Sequence, residues 1–428
     1  QFINCTMRKY EDLGRLNSSF IELHELYSRI LCEQPESLAA ARGLLTNLER
    51  LHVAIGEIHM QTLDVKDPVI GNESTSQRIK ALSRDLKMLD QELPRVNIFV
   101  NKNEMEDEES QIVEFKDFAA ISCKNVLSHS SNALVFQTKS FSLESQVYLA
   151  CTLFGENIIT LWNLSTQTIS SKLVGHVDTV YALVPYKQNG IQMIASGSKD
   201  KSIKLWNLEN NSMEATLSGH AKSIVSLTTC RNEGKLYLLS GSDDKNILMW
   251  DLDTNVHIAT LEGQASSVTS LVTYCFDSNP YLVSGGFDGK VKIWNLRTRA
   301  LAKNLEGNGQ QLRSLAVIPR KNKIMVARGY LDGFLDVWDS ENNDSVALLS
   351  AAEALPITGL EVVHYNDKAC LVSCHVEGVI KIWNLETNSV ITSLNSCTSI
   401  SSLAVFNNGD QPCLATGRAD GKIQIWAE

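Results

Sequence analysis

Two hydrophobic rhythms divide the chain. From Leu13 to Leu93 apolar residues return every three or four positions: Leu13, Leu16, Phe20, Leu23, Tyr27 and Ile30, then Leu44, Leu48, Leu51, Ile55 and Ile58, then Ile79, Leu82, Leu86, Leu89 and Leu93. Such steps stack side chains along one stripe of a helix, so the pattern predicts three helices with apolar seams. Pro35 and the pair Asp67-Pro68 break the first and second, since proline brings no N–H and clashes with the preceding turn. Ser74, with Gln77 three residues on, fits a capping box for the third. Beyond about residue 117 the period drops to two, in runs that close on an aromatic: ITLWNL, IKLWNL, ILMWDL, VKIWNL, LDVWDS, IKIWNL and IQIWAE. That alternation is a strand signal.

All seven tryptophans fall in these runs, at Trp162, Trp206, Trp250, Trp294, Trp338, Trp383 and Trp426. Their spacings of 44, 44, 44, 44, 45 and 43 mark one unit copied seven times. Tight turns such as SGSKDKS, SGSDDKN and SGGFDGK stand upstream of the runs, with a further β-rich stretch before each turn. Each unit therefore carries about four short strands. These residues resemble the WD40-repeat family, whose units each form one blade of a β-propeller. The resemblance implies a mainly β fold, a seven-bladed propeller over residues 117–428, with the segment from Phe118 to Ser122 supplying the outer strand of the last blade.

Residues 1–98 read as a closed three-helix bundle or as a coiled coil that dimerises or takes a partner helix. Residues 99–116 read as an acidic linker, because Glu104 to Glu109 carries five negative charges in six residues. The whole chain has a net charge of −10, a poor match for phosphate backbones, so nucleic acid is not an expected partner. No stretch reaches the roughly 18–20 apolar residues of a membrane span. The ten cysteines are scattered without a zinc or disulfide spacing, which suits reduced thiols in an intracellular protein, in the cytoplasm first and the nucleus second.

The resemblance also assigns the recurring polar residues. His176, Ser196, Asp200 and Trp206 match the family's structural tetrad, as do His220, Ser240, Asp244 and Trp250. A Ser, His and Asp together invite a hydrolase reading, but their repetition in successive units points to structure instead. Blade one offers His129, Thr152, Glu156 and Trp162, and blade four places Gln264 at the histidine position beside Ser284 and Asp288. Blade five has Asn308 and Arg328, and a guanidinium cannot accept an indole hydrogen, so an Arg328–Asp332 pair is the expected substitute. Blade six shows Ser373 and Glu377 without a histidine, and blade seven Thr416, Asp420 and Ser396. Blades five to seven are accordingly expected to rely on apolar packing.

Neither a phosphate loop nor a cofactor motif is present; the stretch from Gly285 to Lys290 lacks the required spacing. The expectation is a non-enzymatic scaffold that needs no cofactor and captures a protein or peptide segment. In relatives of the resembled family, ligands meet the narrower face, three and five residues after the histidine position and just before the turn Asp. Carried over by position, this gives Thr179, Tyr181 and Lys199 in blade two, Ser223, Val225 and Asp243 in blade three, and Phe287 in blade four. Blade five gives Gln311, Arg313 and Leu331, and blade six Thr358 and Val376. The alternative is the substrate-recognition part of a ubiquitin ligase, with a RING or U-box ahead of the helices. Trp294-Asn295-Leu296-Arg297 approaches the WDxR motif of cullin-adaptor receptors, with Asn in place of Asp.

Overall fold

A computed structural model describes residues 113–428, apart from positions 130, 308, 321–322, 341–343, 350–354 and 366–367. The helical module, the acidic run and Asn308 lie outside the described residues. Seven antiparallel sheets follow one another along the chain, six of four strands and one of five. Each sheet is one blade, ordered from an inner strand at the channel to an outer strand at the rim. In blade two these are Val180–Gln188, Ile191–Ser198, Ser202–Asn207 and Ser212–Ser218.

Burial follows strand position. The second strand, Ile191–Ser198, is covered on both faces and buried along nearly its whole length, whereas the outer strand Ser212–Ser218 is largely exposed. Inner and second strands meet at two-residue turns such as Asn189-Gly190, both at positive φ (52° and 80°), the geometry that matches strand twist and that Asn and Gly adopt cheaply. Third and outer strands meet at turns held by the residue after the tryptophan. Asp251 Oδ1 accepts from the amides of Asp253 and Thr254, and Asn295 Oδ1 from those of Arg297 and Thr298. One side-chain oxygen suffices for this task, which is why Asn and Asp interchange there.

Blades touch through small residues. Gly197 on the second strand of blade two leaves room for Ile224, the first residue of the next inner strand: a Cβ at Gly197 would stand 2.5 Å from Ile224 Cγ2. Ile224, Leu227, Leu238 and Trp250 of blade three join Ala195, Ile203 and Leu205 of blade two in one buried cluster.

The ring closes by strand exchange between chain ends. Ser122–Ser128 pairs antiparallel with Lys422–Ala427, from Ser122 opposite Ala427 to Ser128 opposite Lys422. This corrects the expected bounds, since Phe118–Ala120 is a 3-10 turn whose Asp117 carboxylate caps the Ala119 amide at 2.9 Å. Phe118 is spent as an apolar anchor, its ring 4.7 Å from that of Tyr365 and 5.5 Å from that of Phe115. Val113 is buried, and Glu114–Phe115 adds a short parallel strand to the inner strand of blade six, opposite His364 and Tyr365. Among the described residues no helix is long and apolar enough to cross a membrane.

Gly197→Ala should lower stability by about 1–3 kcal/mol through overpacking against Ile224, measured by chemical denaturation.

Candidate functional site

Six blades bury their tryptophan and blade five half-buries Trp338, and each finds its indole N–H an acceptor. In blade two Trp206 Nε1 donates to Ser196 Oγ at 2.8 Å, Ser196 lies 2.8 Å from His176 Nε2, and His176 Nδ1 lies 2.7 Å from Asp200 Oδ2. Blade three repeats this with Trp250, Ser240, His220 and Asp244 at 2.9, 2.8 and 2.9 Å. Burial lowers both imidazoles below the ordinary histidine value, against the pull of the carboxylates. Burial alone would raise the Asp200 carboxyl, yet hydrogen bonds from Ser202 and His176 outweigh it and hold it at about 2. A neutral imidazole then accepts from serine and donates to aspartate, so the serine proton is committed inside a sealed chain. In blade four Gln264 Nε2 donates to Ser284 Oγ, which also accepts from Trp294 at 2.8 Å.

The other blades depart from expectation. In blade one the hydroxyl position is held by Cys151, not Thr152: Cys151 faces Thr160 as Ser196 faces Lys204, because the hairpin before the tryptophan is one residue longer. Its thiol, pushed up by burial, lies 3.3 Å from His129 Nε2, and that nitrogen also accepts the Trp162 N–H at 3.3 Å. Thr152 stands where blade two has Gly197, and its hydroxyl has no partner among the described residues.

Blade five pairs Arg328 with Asp336, not Asp332. Nε donates to Oδ1 at 2.8 Å and Nη2 to Oδ2 at 2.5 Å, and Asp336 Oδ2 accepts the Trp338 N–H at 3.0 Å. The two residues face each other across neighbouring strands. The same cross-strand place pairs Ser196 with Lys204, Ser284 with Lys292 and Ser373 with Lys381, so the acidic residue appears opposite the arginine and the acceptor moves from one strand to the next. Asp332 instead accepts the Phe334 amide. Blade six does have its histidine: His375, two residues past Ser373, lies 3.0 Å from the Ser373 hydroxyl and donates Nδ1–H to Leu355 O, while Trp383 donates to Ser373 at 2.8 Å. In blade seven Trp426 donates to Thr416 at 2.9 Å, and Asp420 takes Arg418 at 2.7 Å without reaching Ser396. Polar networks thus pin blades five and six as well, against the expectation of mainly apolar packing.

At the end of the ring where the inner strands start, three circles of residues are brought together. Every inner strand carries a bulge one residue after its start, which leaves Phe136, Tyr181, Val225, Thr269, Arg313, Thr358 and Ser401 out of register at the channel mouth. Around them a turn amide in each blade donates to the residue just before the inner strand: Phe154 to Leu134, Lys199 to Thr179, Asp243 to Ser223, Phe287 to Ser267, Leu331 to Gln311, Val376 to Pro356 and Ala419 to Ser399. All twelve expected contact residues fall in these circles. Thr179 is buried and presents little surface, while Lys199, Phe287, Gln311, Arg313, Leu331 and Val376 are exposed. Blade one was missed because Phe136 stands seven residues after His129, where Tyr181 stands five after His176, and because its longer hairpin shifts the turn position; Phe136 and Phe154 are its members. Their rings are 6.1 Å apart, and Phe136 is 5.2 Å from Tyr181. The Arg297 turn lies at the opposite end of the blade, by strand direction.

The closed ring of seven tryptophan-anchored blades defines a WD-type β-propeller, a rigid platform on which loop residues are held for binding. The family described as "Nucleolar protein 10-like, N-terminal domain", a β-propeller domain, matches residues 184–421, more than half of the 428-residue chain, and the chain belongs to that family. No curated protein matches the chain.

Two predictions test the networks. His176 folds with its value below the ordinary histidine value of about 6.5, so the unfolded chain binds more protons as pH falls; the stability tied to His176, His220 and His375 is complete above about pH 6.5 and lost below it. Denaturation at about pH 7.5 and about pH 5.5 should show a smaller acid loss in His176→Gln, which copies the blade-four arrangement. Asp336→Leu should cost about 3–5 kcal/mol by stranding Arg328, and Arg328→Ser with Asp336→Lys should recover most of it in the same assay.

Proposed function

We propose that the chain acts by binding, as a scaffold whose propeller captures a protein or peptide segment on the end where the bulges and turns converge. The observation that carries this reading is an apolar arc on consecutive blades: Phe287, Leu331, Val376, Ala419 and Phe154 hold the same turn position in blades four to seven and one. Four of them are large side chains between 36% and 56% exposed. Singly exposed apolar residues are ordinary, but a continuous run on one rim is the composition of an interface core. The same position carries Lys199 and Asp243 in blades two and three, which gives the arc a polar boundary.

Support for binding over catalysis comes from the tetrads. Their serine hydroxyls are wholly buried and already committed to indole and imidazole. Residues 1–98, read from their sequence pattern as helices, supply in this reading a second docking or dimerising module. The family's name refers to a nucleolar protein, which makes the nucleus the first compartment in which to look for the partner.

Affinity capture with the full chain and with a Phe287→Asp, Leu331→Asp, Val376→Asp variant checks the reading. The substitutions replace exposed side chains and should leave the melting temperature nearly unchanged, while the specific partners are lost. Retention of the same partners would move recognition to another surface.

A further inference from the structure

Among the residues of the three circles, the charges are Lys199, Asp243 and Arg313. Two of them are engaged: Lys199 Nζ lies 3.5 Å from Asp178, and Asp243 accepts the Ser267 hydroxyl at 2.5 Å. Arg313 is not. Its guanidinium lies 5.5 Å from the centre of the Phe136 ring, and that ring contact is its whole set of partners among the described residues. Arg313 belongs to blade five and Phe136 to blade one, with blades six and seven between them, so the two side chains meet across the channel mouth. Deeper between the inner strands the charges are matched, Lys139 with Glu361 at 3.4 Å.

Two consequences follow for a ligand. The aromatic face that could receive a cationic side chain is already taken by the protein's own arginine. The arginine keeps its N–H fork free, a geometry suited to two oxygens of a carboxylate. The guanidinium is open to water at the mouth yet walled by protein, and this desolvation pulls it below its ordinary value. A group in that state gains more from an incoming negative charge than a fully solvated one.

We propose that the channel mouth receives the side-chain carboxylate of an Asp or Glu in a partner segment, with bulky apolar residues beside it lying on Phe287, Leu331 and Val376. This rests on the reading of the propeller end as the binding face and adds the chemistry of the occupant. The guanidinium forks onto the carboxylate while Phe136 and Tyr181 flank it, and the neighbouring arc covers the apolar residues. An acidic segment without apolar neighbours meets a chain of net charge −10 and is repelled, so both features are needed.

The test is selection of a random-peptide display library on the full chain, followed by affinity measurements on the best peptide and on its carboxylate-to-amide counterpart. The expected motif is an internal Asp or Glu between bulky apolar residues. Arg313→Gln and the amide peptide should each weaken binding by about 30-fold or more, and together by little more than either alone. Leu331→Ala should weaken it too, and Arg297→Gln, at the opposite end, should not. If peptides bind and respond to Leu331→Ala but not to Arg313→Gln, or if they carry a basic residue or only a terminal carboxylate, the carboxylate assignment is overturned and the binding face stands. If no peptide is selected, or binding ignores both Leu331 and Arg313, the face itself is wrong. Circular dichroism of each variant verifies that the propeller is intact.

Discussion

Seven indole N–H groups removed from water set the terms of this fold. A buried donor left without an acceptor costs about 1–3 kcal/mol, so a blade can keep its tryptophan only by supplying one. The supply differs from blade to blade: a serine hydroxyl in blades two, three, four and six, a threonine in seven, a carboxylate in five and an imidazole in one. Outside blade seven, what the acceptor touches next ties a loop or the neighbouring strand to the blade centre. The constraint is the donor, and the side chains that meet it are interchangeable within it.

That distinction explains what the sequence disclosed. The tryptophan period and the alternation before it are repeated signals, and they carried the blade count and the strand content. Compensations are local and occur once, so offset counting passed over them. Asp336 was legible only by comparing it with Lys204, Lys292 and Lys381 at the facing position, and His375 only by allowing a histidine to approach the serine from its own strand instead of the preceding loop. A single added residue between Leu149 and Trp162, against the spacing of Ile194 and Trp206, displaced the Thr152 assignment and hid Cys151 and Phe154, while His129 and Trp162 pair as expected. The candidate face was otherwise legible by position because the bulge recurs in all seven inner strands.

The bulge links architecture to binding. Each inner strand gives up one ladder position; Thr269, Thr358 and Ser401 there turn their hydroxyls onto strand carbonyls, while Phe136, Tyr181 and Arg313 meet at the channel mouth. Seven such residues are variable because the pairing no longer constrains them: Val225, Thr269 and Ser401 are modest, whereas Phe136, Tyr181 and Arg313 are large enough to meet across the opening. Rigidity comes from the blades and individuality from the residues that the ladders omit.

The pairing of Ser122–Ser128 with Lys422–Ala427 has a further meaning for how the protein comes into being. Ser122–Ser128 is made before any of the four-stranded blades is complete, whereas its partner Lys422–Ala427 is the last strand of the propeller to be made. During that interval blade seven does not exist, and the flank of blade one that packs against it, Val135 and Cys151 among them, stays open to water and to other chains. The entropy of joining such distant segments grows only slowly with their separation, by about 0.6 kcal/mol for each doubling, so the finished ring bears little thermodynamic penalty. The burden is one of time: the apolar flank of blade one stays uncovered until blade seven has been made.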